Sequence, residues 1–180
     1  MKMIKRYLPK TLRMLLGFAL IALGIVIAKQ SFCLAPWHVF NDGLSCTLHI
    51  TMGTANILVG ACILLLDLLL RETFGIGMVL NILLVSVFTD LFLALNTRLT
   101  LLPRVGQIPQ QILFCLLALL VNAFGIYFYM SARMGAGPRD TLIVFAAKHL
   151  PLSVGTCKLL IEAAVCLTMF SASRTGARLM

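Results

Sequence analysis

A chain of 180 residues that is 61% apolar and only 12% charged does not have the composition of a soluble domain, for which roughly 45–50% apolar and about 25% charged are usual. At this size the excess cannot be hidden in a core, because too much of a small chain is surface, so the surroundings are lipid. The formal charge of +9, from 15 Lys and Arg against 6 Asp and Glu, would suit nucleic acid in a soluble protein, but here the bases flank apolar runs, as cytoplasmic segments at an anionic membrane surface do; nucleic acid is set aside as a partner.

Residues 1–13 hold Lys2, Lys5, Arg6, Lys10 and Arg13 with no acid and read as a basic cytoplasmic N-terminus. The first apolar run, 14–28, lies between Arg13 and Lys29, whose snorkelling side chains extend it toward the ~20 residues that a span needs. Ile27-Ala28-Lys29-Gln30-Ser31 is a poor small-x-small cleavage site, so an uncleaved first helix is expected rather than a signal peptide. Further apolar runs at 50–70, 74–95, 110–130 and 152–172 bring the expected spans to five. Two stretches between them, 37–48 and 139–150, are only a dozen residues each and follow Pro36 and Pro138. That length suits an interfacial or re-entrant helix, and proline at a first helical turn gives up an amide that had no partner.

With the N-terminus inside, the cytoplasmic side holds the five N-terminal bases plus Arg71, Arg133, Arg139 and Lys148. The outside holds Lys29, Arg98, Arg104, Arg174 and Arg178. The excess of bases inside supports this orientation.

A shift of 102 residues lays Pro36 on Pro138, Met52-Gly53-Thr54 on Val154-Gly155-Thr156, Thr51 on Ser153 and Gly60 on Glu162 without a gap. We read this as an internal duplication. The expected organisation is a first repeat of three spans at 14–97, an outer loop at 98–109, an incomplete second repeat of two spans at 110–172 and a tail at 173–180. An odd number of spans in the first copy makes the second enter the membrane from the other side, the inverted repeat that many secondary transporters use for alternating access. The fold class is therefore an all-α integral membrane protein, a three-helix unit plus an incomplete inverted copy.

The segment Gly135-Ala-Gly-Pro-Arg-Asp140, then Leu152-Ser-Val-Gly-Thr156 and Glu162, together with Ala35-Pro-Trp37 and Gly75-Ile-Gly77 to Asp90, resembles the YczE/YyaS/YitT-like group of bacterial multi-pass membrane proteins over nearly the whole chain. The resemblance implies a transporter-like architecture in the bacterial cytoplasmic membrane and no assigned biochemistry. Two departures stand out: His38 occupies a place where the pattern usually has an acid, and residues 171–180 stand where a final helix is expected.

Charges inside spans are costly and usually face a partner or a cavity. Lys158 and Glu162 share a helix face with Gly155, and the same positions of the first copy are Asn56, Gly60 and Gly53. This stripe is the expected substrate path, against a plain Lys158–Glu162 ion pair with glycines that let helices pack closely. Asp90 is a further path candidate, against a structural acid that meets Arg98, Arg104 or water near the outer end. Gly135, Gly137 and Arg139 form a candidate anion loop at a short helix's start, against an ordinary tight turn, and Trp37 reads as an interfacial anchor.

Six cysteines without a Cys-x-x-Cys and histidines 38, 49 and 149 without zinc-site spacing give metal, redox and cofactor chemistry no sequence support. Cys33 and Cys46 could pair in an oxidising outer loop, though free thiols that behave as small apolar residues are the simpler expectation. Catalytic motifs are equally lacking, so no enzyme is expected. The leading functional expectation is a transporter-like protein that binds or moves a small anionic solute along the polar stripe. The alternative is a non-transporting structural or regulatory membrane protein, completed by a homo-oligomer or partner membrane protein.

Overall fold

A computed structural model describes residues 2–31, 34–72, 75–103, 105–132, 135 and 137–176, with side chains between residues 9 and 168. The described residues form seven helices and no strand: α1 (Lys2–Gln30), α2 (Pro36–Leu48), α3 (Met52–Leu69), α4 (Ile76–Leu99), α5 (Ile108–Ser131), α6 (Pro138–His149) and α7 (Val154–Gly176). The basic N-terminal segment, described from Lys2, is helical and continuous with the first span, through Pro9.

Four helices, with spans at Pro9–Gln30, Met52–Leu69, Ile76–Leu99 and Ile108–Ser131, are long and apolar enough to cross a membrane. Over 152–172, where a fifth span is expected, α6 and the part of α7 from Val154 to Thr168 are long and apolar enough only when taken together, as a pair bent by 120°, the form of a broken span or a re-entrant loop. Both short helices begin on the expected prolines, with Ala35 and Gly137 as extended N-caps.

Half of the α1 span is buried, against 17% of the α5 span, so α1 lies inside the bundle while much of α5 faces lipid. Met14, Phe18 and Ile25 of α1 form the core with Met52 of α3, Val85 of α4 and Tyr129 of α5. Glycine makes this packing close: a Cβ on Gly17 would fall 2.6 Å from the Tyr129 amide nitrogen and 2.7 Å from the Gly125 carbonyl oxygen, the small-residue contact by which helices associate in lipid.

The two segments that the shift of 102 residues aligns share one local geometry. Thr51 Oγ1 accepts from the Thr54 amide at 3.1 Å, and Ser153 Oγ accepts from the Thr156 amide at 3.2 Å, so one capping arrangement opens both α3 and α7.

Candidate functional site: a central polar cavity

Neither α2, with 13 residues, nor α6, with 12, can cross a hydrocarbon core of about 30 Å at 1.5 Å per residue. Their first turns, at Trp37 and Arg139, open on one cavity of about 420 Å³. From there they diverge toward opposite ends of α3. The end of α2 leads through residues 49–51 into the first turn of α3, whereas near the end of α6 Lys148 reaches Glu72, just beyond the last turn of α3, at 3.0 Å. Lys29 at the end of α1 holds α2 through Asp42 at 2.6 Å. The two short helices are thus set start to start at the cavity and lead away from it in different directions.

The floor of the cavity is a hydrogen-bond junction at Asn56. Its Oδ1 accepts from Arg139 Nη2 at 2.6 Å and from Asn41 Nδ2 at 2.8 Å, while its Nδ2 donates to Ser86 Oγ at 2.8 Å. One amide thereby ties α2, α3, α4 and α6 together. The Arg139 guanidinium lies 5.0 Å from the centroid of the Trp37 ring, a cation–π contact. Trp37, expected as an interfacial anchor, is therefore part of the cavity wall.

Beside the guanidinium, Tyr129 of α5 donates its hydroxyl to Asp140 Oδ2 at 2.5 Å and accepts from the Gly137 amide at 3.3 Å. Asp140 is thus held by a neutral hydroxyl, and Arg139 has no carboxylate within 4.0 Å among the described residues. The cation faces the cavity with an amide and an indole for company. Two helix N-termini add partial positive charge on the same side.

Of the residues expected from sequence, Asn56, Gly60, Lys158 and Glu162 line this cavity, as do Gly137 and Arg139. The stripe from the two copies and the anion loop, read as separate features, meet at one place. No ion pair joins Lys158 to Glu162 among the described residues, so the structural pairing weighed against a site is not what is seen.

Gly53, Asp90, Gly155 and Gly135 lie elsewhere. Asp90 accepts from the Gly53 amide at 2.7 Å and from Thr51 Oγ1 at 2.6 Å, closing the N-terminus of α3 rather than lining a path. Among the described residues its partners are the Thr51 hydroxyl and the Gly53 amide at the start of α3, with no ion pair to Arg98; Arg104 lies outside the described residues. Gly155 stands exposed at the start of α7. Gly135 takes a φ of +120°, open to glycine, and packs against Gly75. Of the cysteines, Cys46, Cys62, Cys157 and Cys166 are free, which removes a Cys33–Cys46 pair; Cys33 lies outside the described residues, and Cys115 of α5 is disulfide-bonded.

Asn81, Asn122 and Tyr129 also line the cavity and were not proposed from sequence as path residues. The signal was present, since Asn81 and Asn122 are isolated amides within apolar runs, the same anomaly that marked Lys158 and Glu162.

The sequence pattern of a family of unknown function, DUF6198, matches residues 8–176. An uncharacterized protein of Haemophilus influenzae is 31% identical over 164 residues, which cover 89% of this chain and 72% of that relative. The uncharacterized membrane protein YczE of Bacillus subtilis is 30% identical over 131 residues, covering 71% of this chain and 58% of YczE. The chain thus spans less than two thirds of YczE. No solved structure matches.

Proposed function

The chain belongs to the family of unknown function DUF6198 and is a multi-pass membrane protein; from that premise we propose that it is a transporter-like protein of the bacterial cytoplasmic membrane, N-terminus inside, that binds and moves a small anionic solute through the central cavity. The observation that carries this reading is Arg139: a guanidinium facing a cavity between two helix starts, with no carboxylate at ion-pair distance. The guanidinium is half-buried and the neighbouring Asp140 carboxylate is held by Tyr129 instead of pairing with it, so a cation inside the bundle is left for a solute anion to pair with directly.

Lys158 adds a second cation to the cavity lining. Glu162, one helical turn away, would repel dianions and accept from any donor group that the solute carries. The half-helices give the site its alternating geometry, because each leads from the cavity toward a different membrane face. No bond is made or broken in this reading, and no cofactor is involved.

The test is a panel of small carboxylates, phosphates and amino acids offered to the purified protein in a thermal-shift screen, followed by uptake of the stabilising solutes into proteoliposomes. Arg139→Gln should abolish binding, and Glu162→Gln and Lys158→Met, singly and together, should change uptake. Uptake of every bound solute unchanged in all of these variants would sink the proposal.

A second reading is favoured by one observation. Helix α3 packs against α4, whereas its counterpart α7 touches chiefly α2 and α6. A helix left open in this way suits a protein completed by a second copy or a partner membrane protein. Solution mass in detergent distinguishes them, since a monodisperse monomer that binds a solute favours the first.

A further inference from the structure

Asp67 lies in the last turn of α3, within an apolar stretch that contains no other charge between Ile50 and Leu70. It is 2% exposed, and neither carboxylate oxygen has a hydrogen-bond partner. Every other described aspartate is engaged: Asp42 by Lys29, Asp90 by Thr51 and Gly53, Asp140 by Tyr129. Polar groups are buried in proteins with partners, and a carboxylate that has neither a hydrogen bond nor a counter-ion in apolar surroundings is too costly to remain ionised, so it takes up a proton.

The charged groups nearby explain what would let that proton leave. The Glu72 amide donates to the Asp67 carbonyl at 3.1 Å, which sets Glu72 at the same end of α3. Its carboxylate holds Lys148 of α6 through both oxygens, each at 3.0 Å. Arg71 points outward, and His149 is turned to the Phe145 carbonyl of its own helix. The first turns of α4, from Ile76 to Asn81, bring no titratable group, and on α2 Asp42 is engaged at Lys29 while His38 lines the cavity. Lys148, held by Glu72 at this end of α3, is the ion-paired cation described there.

We propose that Asp67 is a proton-binding site, protonated while Glu72 holds Lys148 and ionised when Lys148 is released to it. The reaction is a simple proton transfer between the carboxyl group and water, with Lys148 moving from one carboxylate to the other so that charge stays paired. Helix α6 gives the site its reach. It carries Lys148 at one end and Arg139 at the other, about 14 Å apart for nine residues of helix, so a change of partner at Lys148 displaces the rod that positions Arg139. That coupling of a proton to the cavity rests on the cavity being a solute site; the proton site itself does not.

The test is carboxyl carbon NMR of the full-length protein in lipid nanodiscs, labelled with ¹³C-aspartate and with the Asp67 signal assigned through its bond to Leu68, so that no variant has to fold. With no solute present, Asp67 should show the chemical shift of a protonated acid at neutral pH and lose it on alkalinisation. An ionised Asp67 at neutral pH would overturn the proposal. Glu72→Gln, which frees Lys148, should lower the proton affinity of Asp67 by about tenfold, one unit on the pH axis; an unchanged titration would remove Lys148 from the site. A normal titration in a protein that binds no solute would leave the proton site standing and sink only the transport reading.

Discussion

The two segments related by the shift of 102 residues begin alike and end differently. Thr51 with Thr54 and Ser153 with Thr156 make the same cap, their hydroxyl oxygens 2.7 and 2.8 Å apart, yet only the first cap is closed from outside, by Asp90 of α4. The glycine of each cap shows what that adds. A Cβ on Gly53 would fall 2.5 Å from both Asp90 Oδ2 and the Ser86 carbonyl oxygen, whereas one on Gly155 would meet nothing nearer than Ser153 Oγ at 3.9 Å. Capping is thus a local property carried by two hydroxyl residues in each segment, and it survives without the third helix. Close approach belongs to the third helix, and it alone makes the glycine necessary.

Several measurements would break or sharpen this comparison. The largest effect is all-or-none: His49→Cys and His149→Cys, at the far ends of the two half-helices and each the sole cysteine of its protein, should label from opposite faces of the membrane. Labelling from one face would dissolve the inverted repeat. Asp90→Ala should then destabilise the protein by about 3 kcal/mol, since two hydrogen bonds to a carboxylate are lost and a helix end is left open, read as unfolding in mixed detergent. Gly53→Ala should cost about 2 kcal/mol through overpacking against a backbone oxygen. Ser153→Ala removes only a cap, and its cost should be about 1 kcal/mol. Smallest, and of opposite sign, Gly155→Ala should stabilise α7 by about 0.5 kcal/mol, because nothing crowds the added methyl and alanine favours helix. If Gly155→Ala proved as damaging as Gly53→Ala, the two ends would be packed alike, and the contrast between the copies would be lost.

What could be read from the sequence depended on whether the signal was local. The spans are apolar runs bounded by bases, and the half-helices start on Pro36 and Pro138, so both were legible. The pairing of Asn56 with Lys158 at a shift of 102 located the cavity, since equivalent positions on duplicated helices face a shared interior. Asp90 was misplaced, because its partner at Thr51 comes into reach only when α3 and α4 fold back on each other. Tyr129 was passed over for the same reason. It looks like any aromatic near a membrane end until α5 packs beside α6 and its hydroxyl meets Asp140. Asp67 is the one charge in the apolar run at 50–70, the same kind of signal as Glu162, but its burial without a partner appears only once α3 is packed. The bend between α6 and α7 falls at Leu150-Pro151-Leu152-Ser153, where the proline marks a break and says nothing of the 120° angle.

The contact between α1 and α5 has a consequence for how the protein is made. The face of α1 that carries Gly17 and Gly24 is shaped to receive α5, but about a hundred residues separate the end of α1 at Gln30 from the end of α5 at Ser131. At roughly 5–20 residues per second, the first helix of the nascent chain spends on the order of ten seconds in the bilayer before its partner has emerged. Throughout that interval a glycine-notched surface is open to any passing helix, and correct assembly is a race between the ribosome and the wrong neighbour.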